Sequence, residues 1–106
     1  MTPEREIGNL PRILIVDDEM AIRRFLHTVL SAEEFSLHEA ADGHAGLAAA
    51  AAFRPDVTLL DLGLPDIDGI EVIRRIREWS PVPIIVLSVR EHENDKVAAL
   101  DAGADD

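Results

Sequence analysis

Apolar and polar positions alternate along this chain in two rhythms. Arg12-Ile13-Leu14-Ile15-Val16 is a short β-branched run that stops abruptly at Asp17-Asp18-Glu19, as a buried strand does. From Glu19 to about Glu33 the apolar residues Ile22, Phe25, Leu26, Val29 and Leu30 recur at helical spacing, with Arg23, Arg24 and His27 on the other side. The spacing predicts a helix with acids in its first turn, where the helix dipole favours them. Phe35 to Ala40 alternates apolar and polar like an edge strand, and Asp42-Gly43 punctuates it, with Asp42 placed to cap the next helix. Gly46 to Phe53 is alanine-rich, which gives high helix propensity and a shallow packing face. Arg54-Pro55 ends that helix, because proline biases the preceding residue away from the α conformation.

A third run, Val57 to Leu60, ends at Asp61 and a turn dense in Gly, Pro and Asp, from Leu62 through Asp66 to Asp68-Gly69. Gly69, Val72, Ile73 and Ile76 define a helix through about Trp79, with Arg74, Arg75, Arg77 and Glu78 expected to face water and Trp79 to pack at the helix end. Ser80-Pro81-Val82-Pro83 breaks the helix, and Ile84 to Leu87 is a fourth buried strand ending at Ser88. Glu91 to Asp95 is a polar helix entry, and Val97 to Ala102 a short helix closed by Gly103. The order βαβαβαβα predicts an α/β domain with a doubly wound parallel sheet, right-handed crossovers and helices on both faces.

Composition narrows the chemistry. At 106 residues and 47% hydrophobic, the chain has enough for one core. Residues 1–11 are polar, with two prolines and a glycine, and read as a flexible lead-in to a domain over 12–106. A net charge of −11 argues against direct nucleic-acid binding and suits a divalent cation or a partner with a basic face. The absence of cysteine excludes disulfides and Cys-based metal sites. Neither a membrane-length apolar segment nor a signal-peptide pattern is present, so the expected location is cytoplasmic, with no membrane partner. His27, His38, His44 and His92 are scattered on polar or helix-flank positions and read as solvated.

Asp17 and Asp18 follow the first strand, Asp61 the third, and Ser88 the fourth. In open α/β sheets ligands sit beyond the carboxyl ends of the strands, and strands one and three can be neighbours in the order 2-1-3-4. Three carboxylates would then converge, and a hard cation such as Mg²⁺ relieves their repulsion. A carboxylate beside Mg²⁺ can attack phosphorus to give an aspartyl phosphate, to which Ser88 could donate a hydrogen bond. Taken singly, each residue has a plainer use: Asp17-Asp18-Glu19 and Ser88 as helix or turn caps, Asp61 as a turn cap. Their joint placement at strand ends favours the site.

The stretches Ile13 to Glu19, Leu60-Asp61-Leu62-Gly63-Leu64-Pro65 with Asp68-Gly69, Val86-Leu87-Ser88, and Ala98 to Asp106 together resemble the receiver domain of two-component response regulators. Ala21 to Leu26, Asp61 to Asp66 and Asp95 to Asp106 are similar to the KdpE-type regulators of potassium transport, within the OmpR/PhoB type. The resemblance implies a flavodoxin-like fold of order 2-1-3-4 and Asp61 as acceptor of phosphate from a sensor histidine kinase. It implies Mg²⁺ held by Asp18, Asp61 and the Gly63 backbone carbonyl, with Asp17 acting through water. Ser88 would turn toward the phosphoryl group, Gly63 and Arg90 would tune phosphate lifetime, and Lys96, Asp105 and Asp106 would belong to a dimer face. The family's fifth-strand lysine and aromatic switch residue have no counterpart here, and Val89 stands where alanine is commoner. The chain therefore reads as a receiver truncated before its fifth strand and last helix. That leaves apolar surface open on the first helix and fourth strand, with reduced stability or burial of that surface in a non-native or swapped dimer as the expected outcome, besides a homodimer through the fourth-helix face. By the same resemblance, a DNA-binding, transcriptional output would follow in the parent protein. The competing functions are a Mg²⁺-dependent phosphatase with an aspartyl-phosphate intermediate and a docking receiver that takes no phosphate. A phosphatase of that kind usually has an acid two residues after its nucleophile, where this chain has Gly63, so no external substrate turnover is expected.

Overall fold

A computed structural model describes residues 10–87 and 93–105, with side chains in the last helix from Val97 onward. The elements run β1 (Arg12–Val16), α1 (Met20–Ser31), β2 (Ser36–Ala40), α2 (Gly43–Phe53), β3 (Val57–Leu60), α3 (Gly69–Arg77), β4 (Ile84–Val86) and α4 (Glu93–Ala102). The four strands form one parallel sheet in the order β2-β1-β3-β4. Register aligns the strand ends: Val16 pairs with Ala40 on one side and Leu60 on the other, and Leu60 pairs with Val86. Everything that follows a strand therefore emerges along one edge.

Leu14, Val16 and Leu60 are fully buried on one face of the sheet, against Ala49 and Ala50 of α2 and Val72, Ile73 and Ile76 of α3. Ala99 of α4 and Ala104 extend the same core. Burying a Leu or Ile side chain stabilises by about 1.5–3 kcal/mol, so this face contributes a large share of the fold's driving force. Ile13 and Ile15 alternate to the opposite face and are buried as well. The small side chains of α2 make the shallow face that lets the helix lie close on β1 and β2.

Several expectations are corrected. α1 starts at Met20 and has no acid in its first turn. Asp17 turns the chain first, accepting the Glu19 N–H on Oδ1 at 2.8 Å. No residue of α1 is fully buried, and Met20, Phe25 and Val29 are open to solvent. β4 is only partly buried: Ile84 is enclosed, while Ile85 is exposed. Open apolar surface thus lies on the first helix and fourth strand, where the family resemblance, not the burial pattern of the sequence, placed it.

The arginines divide differently from their helical positions. Arg77 does not face water. Its guanidinium donates to the carbonyls of Gly103 (2.8 Å), Ser80 (3.0 Å) and Val82 (2.6 Å). Arg23 likewise folds inward, donating from Nη1 to the Asp17 carbonyl at 2.6 Å and from Nε to Glu39 at 3.2 Å. Trp79 is half exposed rather than packed, and lines a cleft of about 480 Å³ together with Ala50, Arg54, Thr58 and Ile76. α4 is one continuous helix from Glu93, and Gly103 closes it with φ of 120°, a conformation that favours glycine.

Candidate functional site

The sheet ladder itself builds the acidic cluster. The Asp17 N–H donates to the Ala40 carbonyl at 3.1 Å and the Asp61 N–H to the Val16 carbonyl at 2.9 Å. These bonds continue the ladder one residue past β1 and β3, which sets the two carboxylates side by side. Asp18 follows on the same edge. One carboxylate oxygen from each of Asp17, Asp18 and Asp61 lies within 4.8 Å of the others. Asp17 is buried, Asp61 partly so, and Asp18 is open to solvent. Burial pushes the Asp17 carboxyl above its ordinary value, the Glu19 N–H opposes that, and the charges of Asp61, Asp18 and Glu19 push it further up. A cluster of hard oxygen donors at one solvent-accessible edge, with mutual repulsion to relieve, can hold a metal ion.

The turn after Asp61 is closed at its base by two backbone approaches. The Gly69 N–H donates to the Leu62 carbonyl at 3.0 Å, and a Cβ on Gly69 would lie 2.6 Å from Leu62 Cα and 2.8 Å from the Asp61 carbonyl oxygen. Only glycine permits that contact. Asp68 then caps α3, accepting the Ile70 N–H at 2.9 Å. Gly63 is exposed, and a Cβ there would have only Asp61 Oδ2 nearby, at 3.8 Å. Position 63 thus overlooks the Asp61 carboxylate, and a glycine there leaves the approach open.

Sequence reasoning missed Asp66. Its Oδ1 accepts the Gly43 N–H at 2.7 Å and its Oδ2 the His44 N–H at 2.8 Å, across the top of α2. Partial desolvation pushes this carboxyl up, but hydrogen bonds from the backbone N–H groups of His44 and Gly43, with smaller ones from Ile67 and Asp66 itself, outweigh it and hold the pKa at about 2. Asp42 caps the same helix as expected, accepting the Ala45 N–H at 2.7 Å. An aspartate in a Gly/Pro-rich turn gives no local sign of a partner helix more than twenty residues earlier.

The remaining site residues are placed unevenly. Ser88, Val89, Arg90, His92 and Asp106 lie outside the described residues, and Lys96 lies on α4 without a described side chain. The Asp105 carboxylate accepts the Ile84 N–H at 2.9 Å and the Arg77 guanidinium at 2.8 Å, and is thus bound within the chain. His27 sits beside Glu39, 2.9 Å away, His44 lies 3.9 Å from Asp66, and both rings are at least half exposed.

A family model described as the response regulator receiver domain matches residues 13–106. The chain belongs to that family. This receiver is 58% identical over 97 residues to the KDP operon transcriptional regulatory protein KdpE of Escherichia coli (strain K12), covering 92% of this chain and 43% of that protein. It is 49% identical over 94 residues to the transcriptional regulatory protein KdpE of Mycobacterium tuberculosis (strain ATCC 25618 / H37Rv), covering 89% of this chain and 42% of the relative. The receiver therefore spans less than half the length of these curated relatives. Among solved structures, a CheY-like response regulator receiver domain protein from Methanospirillum hungatei JF-1 superposes with a TM-score of 0.86 at 32% identity, covering 92% of this chain and 78% of that one. Among the described residues of the receiver, no helix is long and apolar enough to cross a membrane.

Proposed function

We propose that this receiver is the phosphoacceptor module of a transcriptional response regulator, with Asp61 as the residue that is phosphorylated. The observation that carries the reading is the convergence of Asp17, Asp18 and Asp61 within 4.8 Å at the carboxyl edge of the sheet. Asp18, Asp61 and the Gly63 carbonyl would hold Mg²⁺ directly and Asp17 through water; the three carboxylates fit it by donor chemistry. An ion held there would supply positive charge to offset the negative charge on the phosphoryl oxygens. An Asp61 carboxylate oxygen attacks phosphorus, the P–N bond to the histidine kinase's imidazole breaks, and the imidazole leaves with that electron pair. Asp17, buried and hydrogen-bonded to the Glu19 N–H, contributes charge from a fixed position. Ser88 is assigned the hydrogen bond to the transferred group, and Lys96, Asp105 and Asp106 the face on which two copies meet.

The partner is a sensor histidine kinase and the setting cytoplasmic; the output is transcriptional, as it is for the KdpE relatives, which are transcriptional regulatory proteins. Gly63 argues against a phosphatase: a side chain at that position would overlook Asp61 Oδ2, and glycine supplies no acid or base. A docking receiver that takes no phosphate would have no use for three converging carboxylates.

The test is incubation of the full-length protein with acetyl phosphate and Mg²⁺, followed by intact mass. A single phosphate adduct, abolished by chelation and absent from Asp61→Asn, is expected. An adduct that survives Asp61→Asn removes the assignment.

A further inference from the structure

We propose that Asp66 is a positioning residue of the acceptor site, tying the turn that begins at Asp61 to the amino end of α2 and thereby setting the affinity of the metal cluster. The inference rests on the phosphoacceptor reading and adds a residue to it. Both Asp66 oxygens are used, one on each of two successive backbone N–H groups, at 2.7 and 2.8 Å. Two short charge-assisted bonds to a rigid backbone fix the carboxylate's direction as well as its distance. Asp42 caps only the third N–H of α2, that of Ala45, and the Gly46 N–H makes the first intrahelical bond to the Asp42 carbonyl at 2.9 Å, so the first two N–H groups are capped from another element, by Asp66 of the turn after Asp61. The turn also sits directly on the helix: a Cβ on Gly43 would lie 2.4 Å from Ile67 Cγ1 and 3.1 Å from Asp66 Oδ1.

The connections form a closed path. The Asp61 turn is joined at its base by Gly69 to Leu62 and at its apex by Asp66 to α2. α2 lies against β1, and β1 leads directly into Asp17 and Asp18. The ligands that follow β1 and those that follow β3 are thus held to one another twice, once through the sheet and once through Asp66. Without the second tie, the turn bearing Gly63 is held only from its base and by the packing of Leu64 and Ile67. Residues that orient metal ligands typically change metal affinity by about 10–100-fold when lost.

The experiment titrates Mg²⁺ into the full-length protein by calorimetry and records thermal melts in metal-free buffer, for the parent, D66A, D66N and D42A. D66A and D42A each remove a cap from the same helix turn, so both are expected to lower the Tm. Only D66A is expected to weaken Mg²⁺ binding, by about tenfold, while D42A stays within about twofold of the parent. D66N, with one carbonyl oxygen for two N–H groups, is expected to fall between. If D66A does not fold, the comparison is made between D66N and D42A. Equal Mg²⁺ affinity in the Asp66 and Asp42 variants, with the parent still binding, overturns the inference alone. A parent that binds no Mg²⁺ overturns the phosphoacceptor reading and this inference together.

Discussion

Arg77 and Asp105 meet at 2.8 Å between Nη2 and Oδ2, and that same oxygen accepts the Ile84 N–H at 2.9 Å. The Asp105 N–H in turn donates to the Ile84 carbonyl at 2.9 Å. One guanidinium thus fastens the end of α4, the chain that leaves it and the loop before β4. Because the pair itself is substantially exposed, most of the stabilisation comes from the three carbonyls that Arg77 satisfies. Arg77→Ala is expected to cost about 2–3 kcal/mol in denaturant unfolding. Arg77→Lys is expected to recover little, since an ammonium cannot reproduce the planar fork. A loss below about 0.5 kcal/mol in Arg77→Ala would place the residue among ordinary surface positions.

Gly69→Ala tests the base of the acidic turn. Its new methyl group would meet backbone atoms of Leu62 and Asp61, which cannot swing aside as a side chain does. A loss of about 1–3 kcal/mol is expected, with Mg²⁺ affinity falling alongside it because the displaced backbone carries Asp61. Thermal melts and metal titration of this one variant check both outcomes.

Thr58 carries a test with the opposite sign. Its hydroxyl is buried within β3 and has no hydrogen-bond partner among the described residues. Thr58→Val keeps the shape and removes the unpaired polar atom, so it is expected to raise stability by about 1 kcal/mol. An unchanged or lowered denaturation midpoint refutes this reading of Thr58.

The two perturbed aspartates give opposite pH dependences in metal-free buffer. Asp66 is held near about 2, below its ordinary 3.8, so its stabilisation is present above pH 3.8 and lost as pH falls through about 2. Asp66→Asn should therefore be less stable than the parent near neutrality, with the gap closing in strong acid. Asp17 is raised above 3.8, so the folded state holds its proton more tightly and stability declines as pH climbs through that higher value. Asp17→Asn should be the more stable protein near neutrality, its advantage vanishing below pH 3.8. Urea midpoints measured across acid pH for the three proteins check both signs.

The strands and their order are legible in the sequence because β1 and β3 are short apolar runs ending in charge, with no competing use for either feature. β3 in particular begins at Val57 and ends at Leu60 as its pattern indicates. The Asp17, Asp18 and Asp61 cluster follows from that order, since parallel register delivers all strand ends to one edge. What periodicity cannot carry is long-range use of a side chain. Arg77 and Arg23 occupy helix positions that read as solvated, yet each reaches carbonyls or carboxylates supplied by other elements. Asp66 is hidden for the same reason, because its partners are backbone groups, which have no signature in composition. Phe25 and Val29 fit an amphipathic stripe, but a stripe shows only that a face is apolar, not that anything covers it.

Trp79, the single tryptophan of the chain, follows the carboxyl end of α3, whereas the acidic turn leads into the amino end of that helix. Nine residues of helix separate the two, a span of about 13 Å. Intrinsic fluorescence therefore has its reporter at the far pole of the molecule, half open to water beside Ser80 and Val82. A metal or phosphoryl group at Asp61 would not quench it by contact. Any change in emission on loading the acceptor would register a rearrangement transmitted along α3, and an unchanged spectrum would mark that helix as a rigid spacer.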